Sequence, residues 1–374
     1  MTNQNQDKHQ KKGLHLILLL PILLCIVACN YFVDLASIYH DVDETQIAKY
    51  LLEGKQATLG NSNGNEREVK RQLIMQMPDQ VDCIVVGPSL VMEINREVTG
   101  EQELFNLGVS GADMYDMLAQ FGVMDIYGKK ADRVIFAVDS YWFDETLAAN
   151  FGRSQGFKPY AYYLIDNMYG GTMQPPVVDA KTPMSTYVTQ LFSASYFKSN
   201  AWSFLIKCKG ALQGEKFILR QPWGLVDDSF TGDYYDSDGS WVYSKKAAER
   251  TVENVRADAA GYNIEYQFSK GGHIGEKSCE IFEHLLTYLQ ERGTQVDLFL
   301  CPLSPSLYDR LDGAEDYYVL QELEAYAKDV AERYELHMIG SFDPYEVGIK
   351  DEDFFDARHV RGDRLAQYFD FTKQ

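Results

Sequence analysis

The chain has 374 residues, 45% of them hydrophobic and 24% charged, enough for one large domain or two modest ones around a sizeable core. Its formal charge is −20, from 55 acidic and 35 basic residues, which argues against a nucleic-acid partner, since nucleic acids select Lys/Arg faces. Six cysteines show no CxxC pair or CxxC…HxxxH spacing, so no metal site and no cofactor is expected.

Residues 1–13 are polar and carry Lys8, Lys11 and Lys12, and from Leu14 to Val33 the chain is almost wholly apolar. Roughly 20 such residues suffice to cross a bilayer. The lysines before the run and Asp34, Asp41, Asp43 and Glu44 after it orient it, with residues 1–13 a cytoplasmic tail, 14–33 a signal anchor and the remainder outside the cell. A lipoprotein signal is the alternative, because Ile26-Val27-Ala28-Cys29 loosely fits a lipobox ending at Cys29. On either reading the chain is tethered to the outer face of a membrane.

Residues 34–80 read as a juxtamembrane stem, with short helices over Gln46–Leu52 and Glu66–Met77 and a loop at Gly60–Asn65. From Asp82 the pattern changes. Cys83–Val86 is a short apolar run expected to be a buried parallel strand, Gly87-Pro88-Ser89 turns, and Leu90–Val98 reads as helix. A second strand is expected over Leu104–Val109, a helix over Ala112–Tyr127 and a third strand over Arg133–Val138. Such alternation predicts an α/β three-layer sandwich, a parallel central sheet of flavodoxin-like type within residues 81–374, with sites at the carboxyl ends of the strands.

The stretch of about 145–270 breaks the rhythm and is rich in Tyr, Asn, Gly and Asp. It reads as a large aromatic-rich insertion with helices near Ser185–Ala211 and Lys245–Ala259, either a lid or substrate platform or a plain packing subdomain. Asp236, Asp238 and Gly239 faintly match a calcium loop, but its later ligands are missing. Alternation then resumes: a helix over Glu276–Arg292 closed by Gly293, a strand over Gln295–Cys301 stopped by Pro302-Leu303-Ser304-Pro305, a helix over Asp316–Tyr334, a strand over Leu336–Ile339 and a last helix over Gly362–Phe369. Four buried free thiols are expected at Cys83, Cys208, Cys279 and Cys301, with a Cys83–Cys301 bridge the alternative.

Two turns carry chemistry. Ser89 follows an apolar strand, and Asp356 and His359 stand three apart near the C-terminus. A hydroxyl is a weak nucleophile until a base takes its proton. Here Ser89 would attack, His359 would act as base and Asp356 would orient the imidazole. The Ser89 and Gly111 backbone N–H groups are the oxyanion-hole candidates. Asn106, Ser110, Asp139 and Ser140 fall on the same edge and are candidate lining residues, with His273 beside Gly271-Gly272 the second choice of site imidazole. Taken singly, each has a plain structural role: a helix cap for Ser89, turn chemistry for Ser110 and Gly111, a satisfied surface pair for Asp356 and His359.

These residues resemble the SGNH (GDSL-type) hydrolase superfamily. Gly87-Pro88-Ser89-Leu90 stands where that family has its nucleophile block, Asn106 to Gly111 where it has the oxyanion glycine, and Asp356-Ala357-Arg358-His359 where it has Asp-x-x-His. Pro88 replaces the family's Asp, and the third block, normally Gly-x-Asn, is absent, with Asp139-Ser140 near its place. The anchor running into Asn30–Asp34, the Asp139–Phe143 turn and Pro302–Pro305 resemble the membrane-anchored branch that includes the D-alanyl-lipoteichoic-acid biosynthesis protein and the alginate-type O-acetylation proteins. The resemblance implies a serine O-acyltransferase or esterase acting on an extracellular glycopolymer beside a membrane-bound O-acyltransferase. The other reading is a non-catalytic relative that binds polymer or scaffolds such a partner.

Overall fold

The computed structural model describes residues 20–35, 38–40, 42–60, 65–144, 152–177, 184–214, 216–220, 222–266, 268–269, 271–311 and 318–372. They fall into two compact units. One takes its residues from 1–43, 59–64 and 179–224, the other from 44–58, 65–178 and 225–374. Residues 20–33 are helical, while the tail and the first part of the expected 14–33 span lie outside the described residues. Among the described residues no helix is long and apolar enough to cross a membrane.

The second unit is built on five parallel strands: β1 (Gln80–Val86), β2 (Leu104–Asn106), β3 (Lys130–Ala137), β4 (Gln295–Leu300) and β5 (His337–Gly340). Their order is β2-β1-β3-β4-β5. The near-continuous apolar runs of β1, β3 and β4 form central strands because both faces are covered. Cys83, Val85, Ile135, Ala137 and Phe299 point to one face, where Phe354, Leu365, Phe369 and Phe371 of the chain's end complete a buried cluster. Phe136 points to the other and meets Trp142 and Phe282 at ring separations of 5.3 and 5.1 Å. The helices that bear on the site and core are α1 (Glu66–Gln76), α2 (Met114–Ile126), α3 (Lys158–Met168), α4 (Val252–Gly261), α5 (Glu276–Glu291), α6 (Val319–Arg333) and α7 (Gly362–Tyr368). Asp113 starts α2 through a reciprocal capping box with Asp116. The result is an α/β sandwich whose chain reverses direction across the sheet between β1 and β3, the place where such sheets open a crevice at their carboxyl edge.

Several local expectations need correction. Leu90–Val98 is not one helix. Ser89–Val91 makes a single 3₁₀ turn, and Arg96–Thr99 a separate short helix, because the Asn95 side chain accepts from Val98 N and starts a new one. Beyond the strand stop, Pro305 opens a helix to Leu311 that the sequence reading did not assign, at a first-turn position where its missing N–H costs nothing. Nor do residues 34–80 form a stem apart, since 44–58 and 65–80 belong to the sheet-bearing unit and Val69, Leu73 and Ile74 of α1 are buried. The expected insertion is divided between the units: 184–214 belong to the first, and 225–266 to the second. In the second, Tyr234–Tyr235 lies antiparallel to both Ala57–Thr58 and Trp241–Val242. There the Asp238 carboxylate braces its loop, accepting from Ser240 N, Ser240 Oγ and Arg96 N. Cys83 and Cys301 are separate, buried free thiols, and burial pushes both up to about 12. Cys208 and Cys279 are half-buried.

Lys70 of α1 is fully enclosed, donating to the carbonyls of Asn106 and Gly239 with its amine 4.8 Å from the Tyr235 ring centre. It ties α1, the end of β2 and the Asp236–Ser240 loop together. Burial lowers it from 10.5 to about 7, against the opposing pull of Glu66 and Asp238. Between those two values the unfolded chain holds a proton that the folded chain has released, so Lys70 makes stability rise with pH across that window. Lys70→Met should flatten this rise, read as urea midpoints at pH 7 and pH 9. An unchanged slope would show that Lys70 stays charged in the fold.

Candidate active site

Ser89 owes its position to a tight exit from β1. A Cβ on Gly87 would stand 2.5 Å from the Ala137 Cβ of the neighbouring strand, so only glycine lets the backbone pass. Extended Pro88 then delivers Ser89 to the first position of the 3₁₀ turn, above the carboxyl edge of the sheet. Gly87→Ala should therefore part β1 from β3 and destabilise by about 1–3 kcal/mol, the usual range for overpacking. The urea midpoint checks this, and an unchanged midpoint would mean the clash is relieved without moving the strands.

The other half of the site is a pinched loop. Phe354 and Val360 form an antiparallel bridge, Phe355 N donates to His359 O at 2.8 Å, and both bridge residues are buried. This holds Asp356 and His359 at the tip. Asp356 Oδ1 accepts from the backbone N–H of Arg358 at 2.8 Å and of His359 at 3.0 Å. Its oxygens also lie 2.9 and 3.0 Å from His359 Nδ1. Burial acts to raise the Asp356 carboxyl, but the His359 imidazole and those N–H donors outweigh it and hold the group well below the usual carboxylate range. A carboxylate there accepts Nδ1–H and leaves Nε2 with its lone pair. That Nε2 is 2.8 Å from Ser89 Oγ.

The turn after β2 supplies the facing wall. Gly111 has φ 56°, a left-handed conformation that calls for glycine. Neither Gly111 N–H nor Ser89 N–H has a hydrogen-bond partner among the described residues. Ser110 is committed elsewhere, its N–H and hydroxyl both donating to Glu66 at 2.8 and 3.0 Å. All five of these residues (Ser89, Ser110, Gly111, Asp356 and His359) line one cleft of about 590 Å³.

The chain matches no known family model and no curated protein.

The remaining candidates stand away from the cleft. Asn106 is fully buried, donating to Val91 O and Ile94 O and accepting from Gly108 N, so it shapes the turn and faces no ligand. Asp139 and Ser140 are buried beneath the cleft. The Asp139 carboxylate caps Tyr141 N and pairs with Arg358 Nη2 at 3.2 Å. Its oxygens thus hold protein donors and offer no amide to a substrate. Burial raises this carboxyl, with Arg358 opposing. His273 is exposed on another part of the surface, between Glu322 at 3.2 Å and the Tyr318 hydroxyl at 2.9 Å.

The structure adds cleft residues that the motifs did not suggest: Tyr141, Arg153, Tyr262, Asn263 and Arg358. Arg358 is only 6% exposed, its guanidinium 5.4 Å from the Phe268 ring centre, and among the described residues its buried Nε and Nη1 have no hydrogen-bond partner. Tyr262 and Asn263 come from the end of α4, held to the Asp356–His359 loop by Arg250, whose Nε donates to Phe355 O at 2.8 Å. Among the described residues no group of three His, Cys, Asp or Glu side chains is placed to hold a metal ion.

Proposed function

We propose that the protein is a membrane-tethered extracellular serine acyltransferase or esterase of SGNH type, acting on a cell-envelope polysaccharide or teichoic-acid-like polymer. The observation that carries this reading is the unbroken relay from Ser89 Oγ through the His359 ring to Asp356, with contacts of 2.8 and 2.9 Å. His359 Nε2 takes the Ser89 proton as Oγ attacks an acyl carbonyl. The Ser89 and Gly111 N–H groups receive the developing oxyanion. The leaving alcohol takes the proton back from His359, and an acyl-Ser89 ester remains. A sugar or polyol hydroxyl, or water, then gives its proton to His359 as its oxygen attacks the acyl carbon, and the Ser89 Oγ leaves and takes that proton back, so the acyl group passes to the acceptor. The Asp-x-x-His loop, the glycine after β2 and the parallel sheet are what the family pattern asks of this fold. A membrane-bound O-acyltransferase is the proposed acyl source.

One observation favours a second reading. Asp139 stands near the place of the family's third-block asparagine but is tied to Arg358, so the cleft has two oxyanion donors where that family uses three. A non-catalytic polymer-binding or scaffolding protein would not need the third. A fluorophosphonate probe separates the two. Purified protein should be labelled once, at Ser89, with labelling lost in Ser89→Ala and His359→Ala. Folded wild type that takes no label, from cells in which Ser89→Ala still supports polymer modification, would favour the scaffold.

A further inference from the structure

The first compact unit carries an apolar surface that the proposed chemistry does not use. Its longest helix, Ala194–Leu212, is capped by Ser193 and leaves Trp202 66%, Leu205 58%, Ile206 55% and Leu212 90% exposed. At 100° per residue these four, together with Lys198 and Lys209, fall within about a third of the helix circumference. The outward stripe of this helix is thus its apolar one, with a lysine on either side of the tryptophan. From 184 to 220 the chain has five basic residues (Lys198, Lys207, Lys209, Lys216 and Arg220) and one acid, Glu215, against an excess of twenty acids in the chain as a whole.

The end of the apolar N-terminal run is bound to this helix. Asn30 donates to the carbonyls of Gln190, Leu191 and Ser193 and accepts from Asn200 Nδ2. Asn200 also accepts from Leu35 N, and Tyr196 donates to Asp34. Asn30, Asp34 and Asn200 are buried. The same helical run, 20–33, exposes Leu20, Ile22, Leu23 and Leu24.

We propose that the Ala194–Leu212 helix lies in the interfacial layer of an anionic lipid bilayer, its Trp202–Leu212 stripe against the acyl chains and Lys198 and Lys209 among the headgroup phosphates. The occupant is argued from continuity and charge. The polar lock around Asn30 places this stripe where the expected 14–33 anchor leaves the membrane, and a basic apolar helix on an acidic protein matches an anionic lipid surface. Lysine stems lie along apolar surface while their amines reach the phosphates. The inference rests on the anchor reading but on no step of the proposed catalysis.

The full-length protein, reconstituted in vesicles of phosphatidylglycerol and a phosphatidylcholine brominated near the headgroup end of its acyl chains, tests it. Tryptophan emission should be blue-shifted and quenched, and Trp202→Phe should remove most of the quenched component, leaving that of Trp142, Trp223 and Trp241. Lys198→Gln with Lys209→Gln should reduce the quenching, and Asn200→Ala should reduce it by loosening the lock. Emission of Trp202 as in water, unquenched in these vesicles, would overturn the proposal. Shielding of Trp202 that appears only in native membranes would assign the face to a protein partner and overturn it equally.

Discussion

Ser89→Ala should lower acyl transfer or ester hydrolysis by at least about 10⁴-fold with little change in KM, since loss of a triad nucleophile removes the covalent path and leaves only binding and oxyanion stabilisation. The effect follows because, among the described residues, the hydroxyl bonded to the His359 imidazole is that of Ser89. His359 Nε2 is 2.8 Å from Ser89 Oγ, whereas the neighbouring Ser110 hydroxyl is turned to Glu66. Ser110→Ala is therefore the control, with turnover expected within a few-fold of wild type; a Ser110→Ala loss equal to that of Ser89→Ala would move the nucleophile. Asp356→Asn should cost on the order of 10⁴ in kcat, because an amide in place of the carboxylate no longer fixes a proton on Nδ1. It keeps acceptors for the backbone N–H groups of Arg358 and His359, so folding should survive. Rates on an acyl ester, with circular dichroism as the folding check, decide both. Wild-type rates in Ser89→Ala would end the catalytic account.

What the sequence disclosed about this site depended on backbone constraints. Gly87, Gly111 and the Asp356–His359 spacing could be read because each sits where a turn admits few residue types. The strands were legible as apolar runs, α2 by helical spacing, and α5 and α6 as amphipathic periods with Gly293 closing α5, since burial on one or both faces dictates those patterns. The site residues that were misplaced are polar groups with internal work. Asn106 and Asp139 sit at the sheet edge, yet spend their hydrogen bonds on backbone and on Arg358, a distinction that residue identity does not carry. Tyr262 and Asn263 reach the cleft because α4 is held against the Asp356–His359 loop, a contact between segments about a hundred residues apart that no local pattern encodes. Arg358 was within reach of sequence reasoning. It stands beside His359 in the same motif, a buried cation there needs a partner, and Asp139 is that partner.

The largest stability effect is expected within the sheet, remote from the chemistry. Arg133 of β3 and Asp297 of β4 share a face, because Asp297 is in register with Ile135, two residues on from Arg133. Arg133 Nε donates to Asp297 Oδ2 at 2.8 Å, Nη2 donates to the same oxygen, and Arg133 is 3% exposed while Asp297 is fully buried. Two charges enclosed this way offset most of each other's desolvation, so the pair itself adds little net stability, whereas removing one partner strands the other. Asp297→Ala should therefore destabilise by about 3–5 kcal/mol, measured as the shift in urea midpoint. Glu101, which meets the same guanidinium at 3.3 Å from a position 20% exposed, cannot substitute, and Glu101→Ala should cost under about 1 kcal/mol. Arg133→Met combined with Asp297→Leu should recover most of the loss, because apolar groups of similar shape leave no orphaned charge. If the double variant is as unstable as Asp297→Ala, the ion pair is holding β3 and β4 in register rather than merely cancelling its own burial, and the cost belongs to the geometry of the sheet.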